Sequence, residues 1–515
     1  MTDGPIVRFV TRVLDRFEPA TDRFNPILVK EVRQFLRGNG FVWSFVVMVV
    51  VAAAIGAMFI VQDEAFPSEE LGERFLVLLF GVLLLGMLVL VPLQAFQSLG
   101  AEWEGETMDQ LALSGLTPSR IAAGKLWSAA LQSLLLVASF APFIALGFLM
   151  RGVDILAVAF AIAQALVVSL WLTAAALAIS SLSKQRVLRG IIFVALGFSL
   201  FSAYGAVMAS TTWSLSDMSQ LRDPDFVAAM ATAFLAGSCA AAFCHYSTSG
   251  RLAHSEENSS TPLRLLAAGS SALFVVWMGV SSVLGWLRSD AFEFLSAVMT
   301  VVLALLGILW ATERGRFGRR VANDLSFRGS RTRRLPSPFL PGGGRGFLFA
   351  LLTIGGAALV HVAAHGAPRA GIADEERWFG FWVLCLYSFY VGLPSALLAR
   401  LCVREFGVWL VRVLCVVGIA AGVVVPSIFG LVLDDTDLSG GRHAFNVFWV
   451  LEEAIDGDLD AEVALAVLAM GLAGLAFNVP RVVRSFAEVR DARAGRIGES
   501  DPAVLRSRAV YAPRP

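Results

Sequence analysis

Long apolar runs alternate with short polar connections along the whole chain. Twelve of the runs approach the length of about 20 residues that a helix needs to cross a bilayer. They fall at roughly 41–61, 75–99, 126–150, 153–181, 187–210, 226–246, 264–287, 291–311, 346–365, 378–401, 406–433 and 461–480. The runs are rich in Leu, Val and Ala and do not alternate apolar with polar positions, which predicts helices and not barrel strands. The expected fold is an all-α polytopic membrane protein of about 12 transmembrane helices, in two six-helix halves. The expected segments are a lead-in at 1–40, a first membrane half at 41–246, a linker at 247–263, a second half at 264–480 and a basic tail at 481–515.

The polar connections have their own patterns. Residues 5–18 place Ile6, Phe9, Val10, Val13, Leu14 and Phe17 on one helical face and Arg8, Arg12 and Arg16 on the other. Such a helix lies in the membrane interface. Asn25-Pro26 then caps a second helix, which stops at Gly38-Asn39-Gly40. Ala101–Lys125 is a polar island between two apolar runs. Glu102, Glu104, Glu106 and Asp109 make it acidic, with Met108, Leu111 and Ala112 as one apolar edge. Ser114-Gly115 breaks that helix, and Thr117-Pro118 starts another with Thr as N-cap and Pro at the first helical position. The island is too short for a domain and has the character of a contact point for another molecule. Residues 312–345 hold nine arginines and predict a solvated, lipid-facing linker that ends in a flexible Gly-rich entry to the next span. Ala444–Ile455 is apolar and aromatic but too short to span, which predicts an interfacial or re-entrant helix.

Composition agrees with this pattern and adds orientation. The chain is 57% hydrophobic and 16% charged, where soluble domains carry about 25% charged residues. Net charge is zero, yet charge is sorted by loop. With both termini inside, cytoplasmic segments hold about 34 of the 41 Lys and Arg. That sorting places the island in the cytoplasm and the acidic loops Asp63–Glu73 and Asp434–Asp437 outside. The five cysteines lie in or beside apolar runs without paired spacing. The first 30 residues lack the apolar core of a cleaved signal.

The search for chemistry is mostly negative. There is no G-x-x-x-x-G-K-[ST] phosphate loop, so energy for active transport would come from another chain or an ion gradient. His361 and His365 are spaced i, i+4 but lack a third ligand nearby. No metal, cofactor or nucleophile–base constellation is expected, and the chain is not expected to be an enzyme. The arginines of 312–345 lack the aromatic interleaving of a nucleic-acid module. Ionisable residues cluster near span ends, which argues against an ion-coupled carrier. Gln94, Gln97, Gln132 and Gln164 are the main polar residues within spans, and interhelical hydrogen bonding is their expected role.

The lead-in Asn25-Pro26-x-x-x-Lys30-Glu31-x-Arg33-x-x-x-Arg37 and the island residues Glu104, Glu106-Thr107, Asp109, Leu111, Ser114, Thr117-Pro118, Ile121 and Gly124-Lys125 resemble the membrane subunit of an ABC-2 type transporter. The resemblance covers about 25–250, with Asp109 where the family usually has glutamate. It implies that the island docks on a separate cytoplasmic ATPase and passes its motion to the spans. The implied docking residues are Glu102, Glu104, Glu106, Thr107, Met108, Asp109, Leu111, Thr117 and Pro118. It further implies export across a bacterial inner membrane, with a second copy or a second permease completing the path. A lipid-handling protein or membrane enzyme without an ATPase, and a scaffold of a membrane complex, are the alternatives. The apolar spans point to a hydrophobic, amphipathic or polymeric cargo.

Overall fold

The computed structural model describes residues 25–65, 71–105, 115–149, 154–182, 185–216, 223–253, 257–286, 289–313, 317–327, 329–365 and 461–495, with a few positions in 412–421 and 446–450. Among these, eight helices are long and apolar enough to cross a membrane. They match the expected spans from 41–61 through 264–287 and the one at 461–480. Helices Ser289–Ala311 and Gly343–His365 stand at two further expected places. The protein is thus an integral multi-pass membrane protein of helices. The span at 378–401, all but a few positions of 406–433, residues 5–18 and most of Ala444–Ile455 lie outside the described residues.

The chain divides into two compact units, Met1–Ala253 and His254–Pro515. In the first, α1 (Pro26–Arg37) is capped by Asn25, whose Oδ1 accepts from the Ile27 amide at 3.1 Å. Then follow α2 (Asn39–Ala65), α3 (Leu71–Leu85), a π-helical turn (Gly86–Leu90) and α4 (Val91–Glu104). Next come α5 (Pro118–Leu149), α6 (Ile155–Ser180), α7 (Arg186–Ser216) and α8 (Pro224–Leu252). Asp154 and Asp223 cap α6 and α8 through the amides of Leu156 and Asp225, at 2.8 and 3.1 Å.

The rod Leu71–Glu104 is the axis of this unit. Of its most apolar window 61% is buried, against 33% or less in every other candidate span. Phe75, Leu79, Phe80, Leu83 and Met87 pack there against Phe140 and Ile144 of α5 and Ala157, Ala161 and Ala165 of α6. Three alanines four residues apart let α6 approach closely, the usual device between membrane helices. Proline explains the π turn in the middle of the rod. The Val91 amide bonds Gly86 O. In that pattern Met87 O would look to residue 92, which is Pro92 and has no N–H. Ser169 of α6 supplies the missing donor, its hydroxyl bonding Met87 O at 2.8 Å and the Ser133 hydroxyl of α5 at 2.8 Å. Ser180 of α6 also donates to the rod backbone, at Phe96 O, 2.8 Å.

The second unit contains α9 (Ser260–Val283), α10 (Ser289–Ala311), α11 (Arg319–Ser326), α12 (Arg331–Arg334), α13 (Gly343–His365) and α14 (Ala461–Arg493). Part of 312–345 is packed where a solvated linker was expected, although Arg319, Arg320, Arg331 and Arg334 are exposed. Val321 and Leu325 of α11 and Leu340 are buried against Val489 and Ala492 of α14. Arg264, fully buried, donates to Glu313 at 2.7 Å and to the carbonyls of Pro338 and Leu340 at 2.7 and 2.5 Å. Arg345 bonds Ser485 O at 3.0 Å and Glu488 at 3.1 Å, and its guanidinium lies 4.0 Å from the Phe317 ring centre. Nor are the glycines a flexible entry. A Cβ on Gly343 would stand 2.7 Å from Ala311 O, and one on Gly344 2.6 Å from Arg481 O. They are glycines because α13 starts against two neighbouring backbones. The arginine-rich composition of the segment concealed this, because three of its carbonyls are bound by Arg264, far away in sequence.

Two measurements check these packing arguments. Ser169→Ala should lower stability by about 1–2 kcal/mol by orphaning Met87 O, read as an earlier thermal unfolding midpoint in detergent. Gly344→Ala should lower it by about 1–3 kcal/mol through overpacking, whereas Gly356→Ala, with no atom within 4 Å of the added carbon, should be neutral or stabilising.

Candidate functional site

At the Glu102 end of the first unit, α1 lies against α5 and α4, and the contact is set by two small features. Gly124 has no side chain where Ile27 sits; a Cβ there would be 2.7 Å from the Ile27 Cβ. The Asn25 amide also donates to Arg120 O at 2.5 Å. With α1 fixed one turn earlier, Glu31 comes level with Lys125 and Lys30 with Glu102.

The result is a four-charge knot. Lys125 Nζ meets Glu31 Oε1 at 2.7 Å, Glu102 Oε2 at 3.2 Å and Ser98 Oγ at 3.3 Å. Glu102 Oε1 accepts from Lys30 at 2.8 Å. Side-chain exposure is 2% for Lys125, 10% for Glu31 and 8% for Glu102, against 46% for Lys30. Three helices distant in sequence thus share charges that none could bury alone. A second clamp lies one turn away. Arg189 of α7 donates to Gly100 O and to Glu104, each at 2.9 Å. Gly100 allows it, since a Cβ would stand 3.3 Å from the guanidinium.

Beside the knot a cleft of about 340 Å³ opens between α1, α4 and α5. Gln34 and Glu31 of α1, Gln94 and Gln97 of α4, and Lys125 and Gln132 of α5 line it. This corrects the expected role of three of the four glutamines. Gln164 does bridge helices, donating to Ser210 at 3.0 Å, but Gln94, Gln97 and Gln132 face a common polar space. Arranged this way, the cleft can hold a small polar group next to a buried, internally balanced set of charges.

The expected docking residues divide into three groups. Glu102 and Glu104 do not head a separate docking helix. They form the last turn of the axial rod, which ends at the Gly105 cap. Glu102 is turned inward to two lysines, so it has no free charge to offer a partner, while Glu104 pairs with Arg189 and stays half exposed. Glu106, Thr107, Met108, Asp109 and Leu111 lie outside the described residues. Thr117 and Pro118 start α5 as expected: Pro118 is its first residue, and Thr117 O accepts from the Arg120 and Ile121 amides at 2.9 and 3.2 Å. The break before them is also present, with Gly115 at φ 73°. Sequence reasoning did not connect Lys30 and Glu31 with Lys125. No signal short of the tertiary contact could have done so, because about 94 residues separate Glu31 from Lys125.

Compared with family models, with curated proteins and with solved structures, the chain finds no match.

Lys125→Met should leave Glu31 and Glu102 facing each other without their shared cation. The expected loss is about 3–5 kcal/mol, seen as a lower unfolding midpoint. Adding Glu31→Gln to Lys125→Met should recover part of that loss, and Lys30→Met, at the exposed corner, should cost less than Lys125→Met.

Proposed function

We propose that this chain is the membrane subunit of an ABC-2 type transporter and moves its cargo outward on energy from a separate cytoplasmic ATPase. The observation that supports this reading best is the knot around Lys125. It ties the lead-in helix, the end of the second span and the start of the third into one body. A push on the segment between Gly105 and Gly115 is thereby delivered to the axial rod and to α5 together. Motion of rigid helices about a packed interface is how such a push crosses a bilayer.

In this reading the chain has twelve spans, both termini are cytoplasmic and the knot lies at the cytoplasmic face, in keeping with the sorting of Lys and Arg. The docking residues narrow to Glu106, Thr107, Met108, Asp109 and Leu111. The carboxylates set complementarity to a basic cleft on the ATPase, and Met108 and Leu111 are the apolar anchors. Glu102 belongs instead to the transmission behind them. A second copy, or a second permease, completes the path.

The test is co-purification of the tagged chain from its native membrane. An ATPase with a phosphate loop should accompany it. Charged residues in place of Met108 and Leu111 should release that partner or lower its turnover about tenfold or more. A chain that transports alone, with no ATPase attached, sinks the reading.

A further inference from the structure

The cleft between α1, α4 and α5 has a chemical bias that the knot does not use. Its volume, about 340 Å³, lies at the lower end of the range of about 300–1,000 Å³ for ligand pockets. Its one cation is already engaged. Lys125 donates to Glu31 and Ser98 and is ion-paired with Glu102 at 3.2 Å, so its charge is already engaged. A phosphate or carboxylate entering the cleft would find no uncommitted cation.

The cleft offers acceptors that the knot does not use. Glu31 meets Lys125 through one oxygen, Oε1. Gln34, Gln94, Gln97 and Gln132 add four amides to the walls, each with a carbonyl oxygen. Gln132 is 7% exposed, and its Oε1 is buried without a hydrogen-bond donor among the described residues. An unmet acceptor in such a place is costly. The two ends of the amide exchange by rotation about one bond, so its oxygen can be presented to a donor in the cleft. The charge balance runs the same way. Glu31, Glu102 and Lys125 are buried, two acids to one base, and the compensating Lys30 is half exposed. Phe35, Ala95 and Ala129 complete the wall with apolar surface, enough for a short carbon stem.

We propose that this cleft binds a primary ammonium group, its N–H donors shared between Glu31 and the carbonyls of Gln94 and Gln132. The ammonium comes either from the headgroup of an aminolipid or from a free amine in water. Both present the same chemistry to the cleft. The inference is independent of the ATPase, so it can stand or fall without deciding the transporter reading.

The experiment compares ammonium groups with and without N–H donors. The full chain is placed in nanodiscs of mixed phosphatidylethanolamine, phosphatidylcholine and phosphatidylglycerol with identical acyl chains, and retained lipid is identified by native mass spectrometry. Separately, ethanolamine and choline are added to chain in phosphatidylcholine discs, and thermal unfolding is followed. Choline has the charge but no N–H. A lipid source predicts retention of phosphatidylethanolamine over phosphatidylcholine by about tenfold, the effect of one charge-assisted hydrogen bond. A free amine predicts stabilisation by ethanolamine and not by choline. In either arm the double variant Gln94→Leu, Gln132→Leu should abolish the preference. Neither residue belongs to the knot, and Gln132→Leu removes a buried unmet acceptor, so the unliganded variant should unfold no earlier than the unchanged chain. The proposal is overturned if ethanolamine and choline forms are indistinguishable in both arms, if phosphatidylglycerol is retained most, or if the double variant keeps the preference.

Discussion

A lysine ammonium that is 2% exposed cannot stay charged in a membrane protein unless other chains of atoms come to it. Burying it alone would cost several kcal/mol. Lys125 is met by a carboxylate from α1, a carboxylate from α4 and a hydroxyl one turn earlier on α4. That requirement fixes where α1 lies, how far the axial rod extends and where α5 begins. The rod must run to Glu102, past the end of its apolar run, and α5 must begin several residues before its own. The polar ends of these helices are therefore structural members as much as connections.

The same constraint acts on the backbone deeper in the unit. Pro92 removes one donor from the rod, the π turn shifts the ladder by one residue, and Ser169 completes the bond that Met87 O would otherwise lack. Water is scarce at that depth, so a hydroxyl from the next helix must do its work. The second unit meets the constraint with arginine. Arg264 and Arg345 hold a run of carbonyls between α10 and α13 in place, with Glu313 and Glu488 balancing their charge. In both units an acid at the end of one span helix and a base at the start of the next are drawn inward. Their partners differ: α1 supplies them in the first unit, and α9 and α14 in the second.

This inward turn changes the meaning of the acidic island. Glu102 looks like part of a charged surface when taken with Glu104, Glu106 and Asp109, but it is buried in a helix held by α1 and α5. A partner acting on the residues beyond Gly105 would act on the rod through them. The cleft next to Lys125 lies on that same line of contacts, between the lead-in helix and the rod.

Hydrophobic run length was enough to place the eight long apolar helices, because a bilayer requires about 20 apolar residues whichever neighbours a helix finds. Punctuation by Asn25-Pro26, Gly115 and Thr117-Pro118 was legible for the same reason: caps and left-handed glycines obey local rules. The sorting of Lys and Arg gave an expected orientation, which belongs to the proposal. What tertiary structure alone decided was the direction in which each polar residue faces. Gln132 lines a cleft while Gln164 bridges two helices, although both are glutamines in apolar runs. Gly343 and Gly344 are close-packed although Gly-rich stretches are usually flexible. Lys125 is buried although it ends a polar island. In each case the deciding partner lies on another helix, tens of residues away or more, and pairing across such distances leaves no periodic trace in a single sequence.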